Sequence, residues 1–334
     1  MATVCVVGTT SWGTTLATVA AQNGHMVNLL SRTKEEAERI NYDRVNERFF
    51  PEIKLPESLQ ATSNIRVAIS EAELVLIAVP SYAFKENLFS IKNFLPNNAY
   101  VVSATKGLDS VTFKRMTELI EEGLNSDYNR KICALSGPNL AKEIMMGKPS
   151  STVVASKNIQ FAGEVQKMMT SENFRVYTSD DVIGVEFGGA LKNIIALGAG
   201  ICDGLSLGDN AKSAFITRGL FEISRVAVKL GANPMTIAGL AGMGDLIATC
   251  ASKLSRNHFV GEQLAMGRSI NEINKSLGQV AEGFYTSVAA KKLSDKLNVD
   301  APIIDGTYNI LHQGVPVSQV VEDLLLRIPT TEMD

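Results

Sequence analysis

The sequence predicts an α/β fold with a doubly wound, mostly parallel sheet, followed by an all-helical domain. Short apolar runs rich in β-branched residues alternate with helical stretches through the first half of the chain, as in successive βαβ units. A glycine-containing turn joins the first apolar run to a helical stretch, which is the setting of a nucleotide-binding turn. From about Asp180 onward strand signals almost vanish, so we expect two domains, residues 1–179 and 180–334.

The individual elements follow from hydrophobic periodicity and from the glycines and polar residues that interrupt it. Strands are predicted at 3–7, 27–30, 74–79, 99–103, 132–135, 152–155 and 174–177, and early helices at 14–23 and 34–46. In the second half, helices are predicted at 181–202, 211–230, 262–264, 270–277, 285–297, 302–311 and 317–325. Ligands of such folds bind beyond the carboxyl ends of the parallel strands.

Composition argues against several classes of protein. With 334 residues, 45% of them hydrophobic and 20% charged, the chain has the composition of a soluble globular protein. A net charge of −3 argues against a nucleic-acid-binding surface. No lysine or arginine precedes Arg32, and no uninterrupted apolar run reaches about 18 residues, so neither a signal peptide nor membrane insertion is expected. We therefore predict a cytoplasmic protein.

The cysteines and histidines suggest neither a disulfide framework nor a metal site. The cysteines lack CxxC spacing and lie in apolar sequence, which predicts buried, reduced thiols. The histidines are scattered without metal-ligand spacing, so surface or structural roles are expected and no metal is predicted. These residues are Cys5, Cys133, Cys202 and Cys250, and His25, His258 and His312.

The turn from Gly8 to Gly13 is the first candidate binding feature. Gly8 permits a tight turn after the first strand and Gly13 permits close packing of the following helix, so both are predicted to form a cofactor site. Thr10 occupies the position of the middle glycine of a dinucleotide fingerprint, so the pyrophosphate is expected to bind differently or more loosely. An ordinary turn between a strand and a helix is the alternative.

The end of the second strand bears on the choice of cofactor. An NAD-binding protein would carry an Asp or Glu here to bond the ribose 2′-hydroxyl, but this chain carries Arg32 and Thr33. A guanidinium can pair with a 2′-phosphate, so the sequence favours NADPH over NADH. The alternative is a solvated arginine at the start of a helix.

The segment from Glu186 to Asp203 has one charged residue between its ends, Lys192, in small and apolar surroundings. A buried helix is predicted, and a buried ammonium is costly unless it has partners or a task. Burial also lowers a lysine pKa toward the range of proton exchange at neutral pH. Lys192 is therefore a candidate acid–base group, with Asn193 beside it as a polar companion. The alternative is a lysine whose head reaches water along its stem.

Two further groups follow the ends of predicted strands. Lys106 comes shortly after the strand at 99–103, and the turn from Gly137 to Asn139 comes after the strand at 132–135. Because these strand ends meet at one edge of a parallel sheet, both groups are expected at the binding crevice. A solvated loop lysine is the alternative for Lys106.

The helical half contains two polar clusters. Asp245 and Thr249 are four residues apart and would share one face of a helix, although Asp245 could instead cap a helix. Ser255, Arg256 and Asn257 place a hydroxyl, a guanidinium and an amide in a row, which at a helix N-terminus would bind a phosphate. A surface turn is the alternative for this second cluster.

Several strings of residues, taken in order, make the chain similar to the NAD(P)-dependent glycerol-3-phosphate dehydrogenases of the bacterial biosynthetic type. The resemblance runs over nearly the whole chain and is far more specific than a glycine turn alone. The strings are GTTSWGT at 8–14, ATKGL at 104–108, SGP at 136–138, GALKN at 189–193, GLSLGDNA at 204–211, GMGDL at 242–246, SRN at 255–257 and VAEG at 280–283. Asn139 departs from the pattern, since the family commonly has a serine or threonine there.

The resemblance implies reversible hydride transfer between NAD(P)H and dihydroxyacetone phosphate, which gives sn-glycerol 3-phosphate for phospholipid synthesis. It also implies a Rossmann domain, a helical domain like the C-terminal domain of 6-phosphogluconate dehydrogenase, and a homodimer. It makes Lys192 the acid–base lysine, and the charge that develops in ketone reduction adds Lys106 and Asp245 to the predicted catalytic residues. Substrate contacts implied by the resemblance are Lys106, Gly137, Asp245, Ser255, Arg256 and Asn257, and the residues themselves add Asn139, Lys192, Asn193 and Thr249. Cofactor contacts implied by the resemblance are Ser11, Trp12, Arg32, Lys106, Ala141, Arg256, Val280 and Glu282, to which the turn and the end of the second strand add Gly8, Gly13 and Thr33.

Two other functions remain open at this point. A β-hydroxyacid dehydrogenase or a ketopantoate-type reductase would have the same architecture but a carboxylate substrate, whereas the cluster at 255–257 favours a phosphate. A non-catalytic protein that senses NADPH would bind the cofactor without turnover. The joint presence of Lys192, Lys106 and Asp245 argues against this second alternative.

Overall fold

The computed structural model describes residues 1–124, 131–277, 281–329, 331 and 332, and in them strands alternate with helices up to residue 179. The strands are Thr3–Val7 (β1), Met26–Leu30 (β2), Leu59–Thr62 (β3), Leu74–Ile77 (β4), Tyr100–Ser103 (β5), Ile132–Ser136 (β6), Ser150–Ala155 (β7) and Phe174–Ser179 (β8). The helices in this half are Ser11–Gln22 (α1), Lys34–Asp43 (α2), Ile65–Ile69 (α3), Phe84–Ile91 (α4), Met116–Gly123 (α5), Ala141–Met145 (α6) and Ile159–Met169 (α7).

The strands form one eight-stranded sheet in the order β3-β2-β1-β4-β5-β6-β7-β8. Neighbouring strands run parallel except for the pair β6 and β7, which is antiparallel. The prediction of a doubly wound, mostly parallel sheet is therefore confirmed. The strand order reverses between β1 and β4, which is where ligands of such sheets bind.

Both faces of the sheet are covered, and β1 shows how its sequence achieves this. Val4 and Val6 pack into one core with Leu16 of α1, whereas Cys5 and Val7 pack into the other with Phe84 of α4. Because successive side chains of a strand point to opposite faces, a continuous apolar run is what a strand covered on both sides requires. The four cysteines are free and buried, as predicted.

After β8, the described residues form helices and no further strand of the sheet. These helices are Val182–Gly204 (α8), Gly208–Lys229 (α9), Pro234–Ile237 (α10), Asp245–Ala251 (α11), Arg256–Ala265 (α12), Ile270–Leu277 (α13), Glu282–Lys296 (α14), Pro302–Tyr308 (α15) and Val317–Leu325 (α16). Helix α8 lies at the centre, with α9, α11, α12 and α14 packed around it. Asp181 caps its N-terminus by accepting a hydrogen bond from Gly184 N.

Several predicted boundaries were wrong, each for a local reason. The helix at 34–46 ends at Asp43 because Arg44 takes a left-handed conformation with φ 56°. The helix at 302–311 divides into α15 and a π-helical segment, Asn309–Gln313. The short helix at 262–264 is the end of α12, and β4 stops at Ile77 rather than 79. Strand β3 was missed, since Leu59–Thr62 has neither a long apolar run nor β-branched enrichment.

Two helical stretches are long and apolar enough to cross a membrane by length and composition. They escaped the sequence prediction because charged residues interrupt both. The stretch Val182–Gly204 is 94% buried inside the protein over its most apolar window, and Pro234–Ala251 is 39% buried. Helix α8 is thus enclosed by the neighbouring helices.

Candidate active site

A cleft of about 370 Å³ lies between the carboxyl edge of the sheet and helices α8, α11, α12 and α14. Both halves of the chain line it, so the fold brings together residues that are distant in sequence. The predicted site residues among its lining are Ser11, Trp12, Lys106, Asn139, Ala141, Lys192, Asn193, Thr249, Ser255, Arg256, Asn257 and Glu282.

One buried carboxylate joins two lysines at the base of this cleft. Asp245 accepts a hydrogen bond from Lys192 Nζ at Oδ1 and one from Lys106 Nζ, 2.7 Å away, at Oδ2. Lys192 Nζ also donates to Thr249 Oγ1 at 2.6 Å, and Lys106 Nζ donates to the Gly137 carbonyl oxygen at 2.7 Å. Each ammonium has three N–H donors, so among the described residues one donor of each lysine has no partner.

These contacts contradict three of the alternative interpretations. The side chains of Lys192 and Lys106 are only 8% and 15% exposed, so neither head lies free in water. Asp245 lies in the first turn of α11, but its carboxylate oxygens accept from the lysines instead of capping the helix. The prediction that Asp245 and Thr249 share a helix face is confirmed, since Lys192 bonds both.

Small residues allow α8 to bring Lys192 to this position. A Cβ on Gly188 would lie 2.7 Å from the Ala241 carbonyl oxygen of the π-helical segment Leu240–Gly244. A Cβ on Gly189 would lie 2.1 Å from Ser136 Oγ at the end of β6. Because any side chain would collide at either position, the glycine pair lets α8 approach both α11 and the sheet.

Lys106 follows β5 and meets Asp245 from the sheet side of the cleft. Burial lowers the pKa of Lys106 to about 8, the Asp245 carboxylate raises it, and the Lys192 ammonium lowers it. Burial has the largest effect, so Lys106 can exchange a proton near neutral pH. Sequence alone did not indicate this, since Lys106 follows a strand end in a loop of ordinary composition.

The cluster at 255–257 begins helix α12, so the surface-turn alternative is wrong. Ser255 is the N-cap residue, and its hydroxyl accepts from His258 N. The Arg256 guanidinium is exposed on the wall of the cleft and makes no hydrogen bond or ion pair with the described residues. A free guanidinium at a helix N-terminus is a suitable site for a phosphate.

Side-chain amides connect the cluster at 255–257 to helix α8, which carries Lys192. Asn257 Nδ2 donates to Asn193 Oδ1 at 2.8 Å, and Asn257 Oδ1 accepts from Gly283 N at 3.0 Å. The amide of Asn139 is engaged elsewhere, with Nδ2 on the Ser151 carbonyl oxygen at 3.1 Å and Oδ1 on Thr152 Oγ1 at 3.0 Å. Asn139 therefore lines the cleft while its polar atoms brace the β6–β7 pair.

The turn from Gly8 to Gly13 accommodates Thr10 at the position of the middle glycine of a dinucleotide fingerprint. Gly8 has φ 108°, and a Cβ on Gly13 would lie 2.0 Å from the Gly8 carbonyl oxygen, so neither residue can carry a side chain. Thr10 has φ −68°, donates to the Ala78 carbonyl oxygen at 2.7 Å and accepts from Gly13 N at 2.9 Å. Its hydroxyl thus caps α1 and bonds the residue after β4, and Thr10 also lines the cleft.

Other features of this region fit a dinucleotide. Ser11 and Trp12, the first residues of α1, line the cleft, and the buried Trp12 Nε1 has no hydrogen-bond partner among the described residues. A helix N-terminus with an unpaired donor favours an anion. Glu282, at the start of α14, reaches across to Ser81, accepting from its N at 3.0 Å and from its Oγ at 2.5 Å. This contact joins the two sides of the cleft.

The remaining predicted residues lie outside the cleft lining. Gly8 and Gly13 shape the turn, and Gly137 and Asp245 lie behind the lysines that they bind. Arg32 and Thr33 are exposed at the end of β2, where the Thr33 hydroxyl caps α2. Val280 lies outside the described residues. The lining residues that sequence reasoning missed include Phe49, Phe50, Tyr82 and Leu254, whose apolar character marks a core as readily as a site.

A cluster of possible metal ligands lies behind α12. Asp203, His258 and Glu262 bring ligating atoms within 4.8 Å of one another, and His258 is buried. Asp203 Oδ2 already accepts from Lys212 Nζ at 2.5 Å and lies 2.7 Å from His258 Nε2. Asp203 Oδ2 is thus already engaged by the Lys212 ammonium and the His258 ring.

Comparison with known proteins relates this geometry to a family. Residues 3–162 match the family model for the N-terminus of NAD-dependent glycerol-3-phosphate dehydrogenase, and residues 181–322 match the model for its C-terminus. A glycerol-3-phosphate dehydrogenase [NAD(P)+] of Dehalococcoides mccartyi is 48% identical over 97% of this chain and 91% of its own length.

Solved structures agree with this relationship. The crystal structure of a glycerol-3-phosphate dehydrogenase from Coxiella burnetii has a TM-score of 0.91 at 35% identity, covering 98% of this chain and 99% of that one. A PanE/ApbA family ketopantoate reductase from Ralstonia eutropha shares only the fold, with a TM-score of 0.60 at 16% identity over 97% of this chain and 99% of that one. The chain therefore belongs to the NAD-dependent glycerol-3-phosphate dehydrogenase family.

Proposed function

We propose that this chain catalyses reversible hydride transfer between NAD(P)H and dihydroxyacetone phosphate, with Lys192 as the acid–base group. The observation that carries the assignment is one buried carboxylate, Asp245, bonded to two lysines, each of which has one donor without a partner among the described residues. This arrangement places net positive charge at the base of a cleft that also carries a free guanidinium and a nucleotide-binding turn.

The proposed chemistry follows from the charge that develops during ketone reduction. The bound nicotinamide supplies the hydride. As the carbonyl carbon is reduced, negative charge grows on its oxygen, and the free donor of Lys192 stabilises that charge and delivers the proton. Lys106 adds a second positive charge nearby, while Asp245 holds both ammoniums in place. In the reverse direction Lys192 accepts the proton of the secondary alcohol.

The substrate phosphate has a separate proposed site at the N-terminus of α12. Arg256 offers charge-assisted donors, and the Asn193–Asn257 pair fixes α12 relative to Lys192. Anchoring the phosphate holds the carbonyl beside the lysines, so that binding energy orients the reacting atoms. Ser255 and Thr249 complete the polar lining.

The proposed cofactor site is the turn at Gly8 with the N-terminus of α1. Ser11, Trp12 and Ala141 line this side of the cleft, and Arg32 stands exposed at the end of β2. A guanidinium at this point favours a 2′-phosphate, which supports a preference for NADPH over NADH. Arg32, Thr33, Glu282 and Val280 complete the proposed set, the last outside the described residues.

The test of the proposed function is oxidation of NADPH in the presence of dihydroxyacetone phosphate, run beside NADH. We expect rapid loss of absorbance that needs the phosphorylated ketone, with unphosphorylated dihydroxyacetone as the control. A faster rate with NADPH would support the role of Arg32. Cofactor binding without turnover would instead favour a sensing protein, and turnover only with carboxylate substrates would favour a hydroxyacid dehydrogenase.

Arg256→Ala is expected to raise the Michaelis constant for dihydroxyacetone phosphate by about 10- to 100-fold, with a smaller effect on kcat. A hydrogen bond to a charged group contributes about 1.5–3 kcal/mol, and this guanidinium has no other partner among the described residues. Arg268→Ala serves as the control, because Arg268 lies beyond the end of α12 and donates a hydrogen bond to Gln263. Unchanged Michaelis constants in the Arg256 variant would sink the phosphate assignment.

The rate of ketone reduction is expected to decline as pH rises through about 8, where the Lys106 ammonium loses its proton. Below this pH the site carries two ammoniums and one carboxylate; above it one positive charge is lost, and the alkoxide is less well stabilised. The measurement is kcat/KM for dihydroxyacetone phosphate at saturating cofactor across this range. A profile that stays level to pH 10 would contradict the role of Lys106.

Four broader features belong to the same proposal. The change from strands to helices after β8 supports a cofactor domain at 1–179 and a substrate domain at 180–334. The enclosure of α8 by its neighbours supports a chain that does not insert in a membrane. We propose a cytoplasmic enzyme that supplies glycerol 3-phosphate for phospholipid synthesis and acts as a homodimer. Light scattering after size exclusion would test the dimer.

A further inference from the structure

A carboxylate lies in the corner between the ends of β1 and β2, although the sequence shows no acid directly after β2. Glu36, in the first turn of α2, is only partly exposed and points back toward this corner. Its Oε1 accepts from Thr9 Oγ1 at 2.6 Å, and its Oε2 accepts from Arg32 N at 3.3 Å. Each oxygen therefore bonds one of the two turns, which lie side by side because Gly8 N donates to the Leu30 carbonyl oxygen.

This corner is where doubly wound folds receive the adenosine ribose. In NAD-binding proteins an acid at the end of the second strand bonds the ribose 2′-hydroxyl, and in NADP-binding proteins an arginine accommodates the 2′-phosphate. Here both groups occur together. The Arg32 side chain is exposed, and the Glu36 carboxylate accepts a hydrogen bond from the backbone N of Arg32. Each oxygen has bonded only one donor, so the carboxylate retains acceptor capacity.

We infer that Glu36 is a specificity-determining residue that opposes the 2′-phosphate and so limits the preference for NADPH that Arg32 provides. The inference rests on the proposed placement of the adenosine ribose at the end of β2. A fixed carboxylate repels a 2′-phosphate and accepts a hydrogen bond from a 2′-hydroxyl, and both effects favour NADH. The two side chains would thus act in opposite directions on the same ligand group.

A matched pair of variants isolates this charge. Glu36→Gln removes the negative charge with little change in shape, and Glu35→Gln removes the same charge one residue away in the same helical turn. Glu35 is exposed, and the contacts to Thr9 and to the Arg32 backbone belong to Glu36 alone. Glu36→Ala provides a second variant in which no amide remains to replace the carboxylate contacts.

The first measurement is binding of 2′,5′-ADP and of 5′-AMP, which differ only in the 2′-phosphate. Trp12 is the only tryptophan of the chain and lines the cleft, so its fluorescence reports occupancy without turnover. We expect Glu36→Gln and Glu36→Ala to strengthen binding of 2′,5′-ADP relative to 5′-AMP by about fivefold, and less at high salt, because charge repulsion is screened. The ratio of kcat/KM for NADPH over NADH should rise equally, and Glu35→Gln should leave both ratios unchanged.

Other outcomes would overturn the inference. Equal weakening of both ligands would show that Glu36 only braces the two turns, and an unchanged ratio would show that its charge does not reach the 2′ position. Arg32→Ala separates this failure from failure of the proposed function, since it should weaken binding of 2′,5′-ADP and leave binding of 5′-AMP unchanged. If Arg32→Ala spares both ligands, the ribose does not lie in this corner, and the cofactor placement itself is wrong.

Discussion

Lys192→Ala is expected to lower kcat by about 10³-fold or more while leaving cofactor affinity unchanged. Loss of a general acid removes about 10²–10⁴-fold of rate, and loss of a donor to the developing oxyanion removes about 10²–10³-fold. The two losses overlap because one ammonium provides both. The cofactor turn lies on the sheet side of the cleft, whereas the hydrogen-bond partners of Lys192 among the described residues are Asp245 and Thr249, both on α11.

Single-turnover kinetics with dihydroxyacetone phosphate measure this loss directly, and Trp12 fluorescence measures cofactor binding in the same samples. Lys192→Met is the companion variant, since methionine fills the space of the lysine stem without a charge or a donor. Lys34→Ala, at a side chain that is 76% exposed, is the control for removal of a surface lysine. Turnover within tenfold of the unmodified enzyme would show that Lys192 is not the acid.

The burial of Lys192 could be predicted from sequence because its signal is local. A lone charge in an apolar helical stretch indicates either a functional group or an error of assignment, and α8 places it within the core. Its partnership with Lys106 was beyond such reasoning. Lys106 and Asp245 are 139 residues apart, and they meet because α8 packs on the sheet at β6 while α11 packs on α8. Contacts between residues so far apart in sequence depend on tertiary packing, which a local sequence pattern does not indicate.

Thr10 and Glu36 show a different limit of prediction from sequence. Their place near the two turns follows from the sequence, but the direction of their side chains does not. The sequence predicted that Thr10 would loosen or shift the pyrophosphate, but it did not indicate that the Thr10 hydroxyl caps α1 and bonds the Ala78 carbonyl oxygen. Glu36 was overlooked because the expected acid directly follows β2, whereas here a carboxylate returns from the first turn of α2. In both cases the side-chain direction is set by hydrogen bonds to residues distant in sequence, which residue identity alone does not indicate.

Asp245→Asn is expected to lower the free energy of unfolding by about 3 kcal/mol near neutral pH and to reduce turnover sharply. Removing one partner of a buried ion pair costs about 3–5 kcal/mol because an uncompensated charge remains. Here the side chain is 2% exposed, and its loss leaves two neighbouring ammoniums without their shared counter-charge. The asparagine keeps the shape and one acceptor, so the change isolates the charge.

The cost of this substitution should depend on pH in a direction that linkage fixes. Burial already lowers the pKa of Lys106 to about 8, and without Asp245 it should fall further. The unfolded chain then binds more protons than the folded chain over a wider range, so the stability of the variant rises with pH through that range. Urea unfolding at about pH 6 and about pH 9 should therefore show the larger deficit at the lower pH. Asp323→Asn, at an exposed carboxylate of α16, should show no such dependence. An equal deficit at both pH values would mean that Asp245 holds the site by shape and hydrogen bonding rather than by its charge.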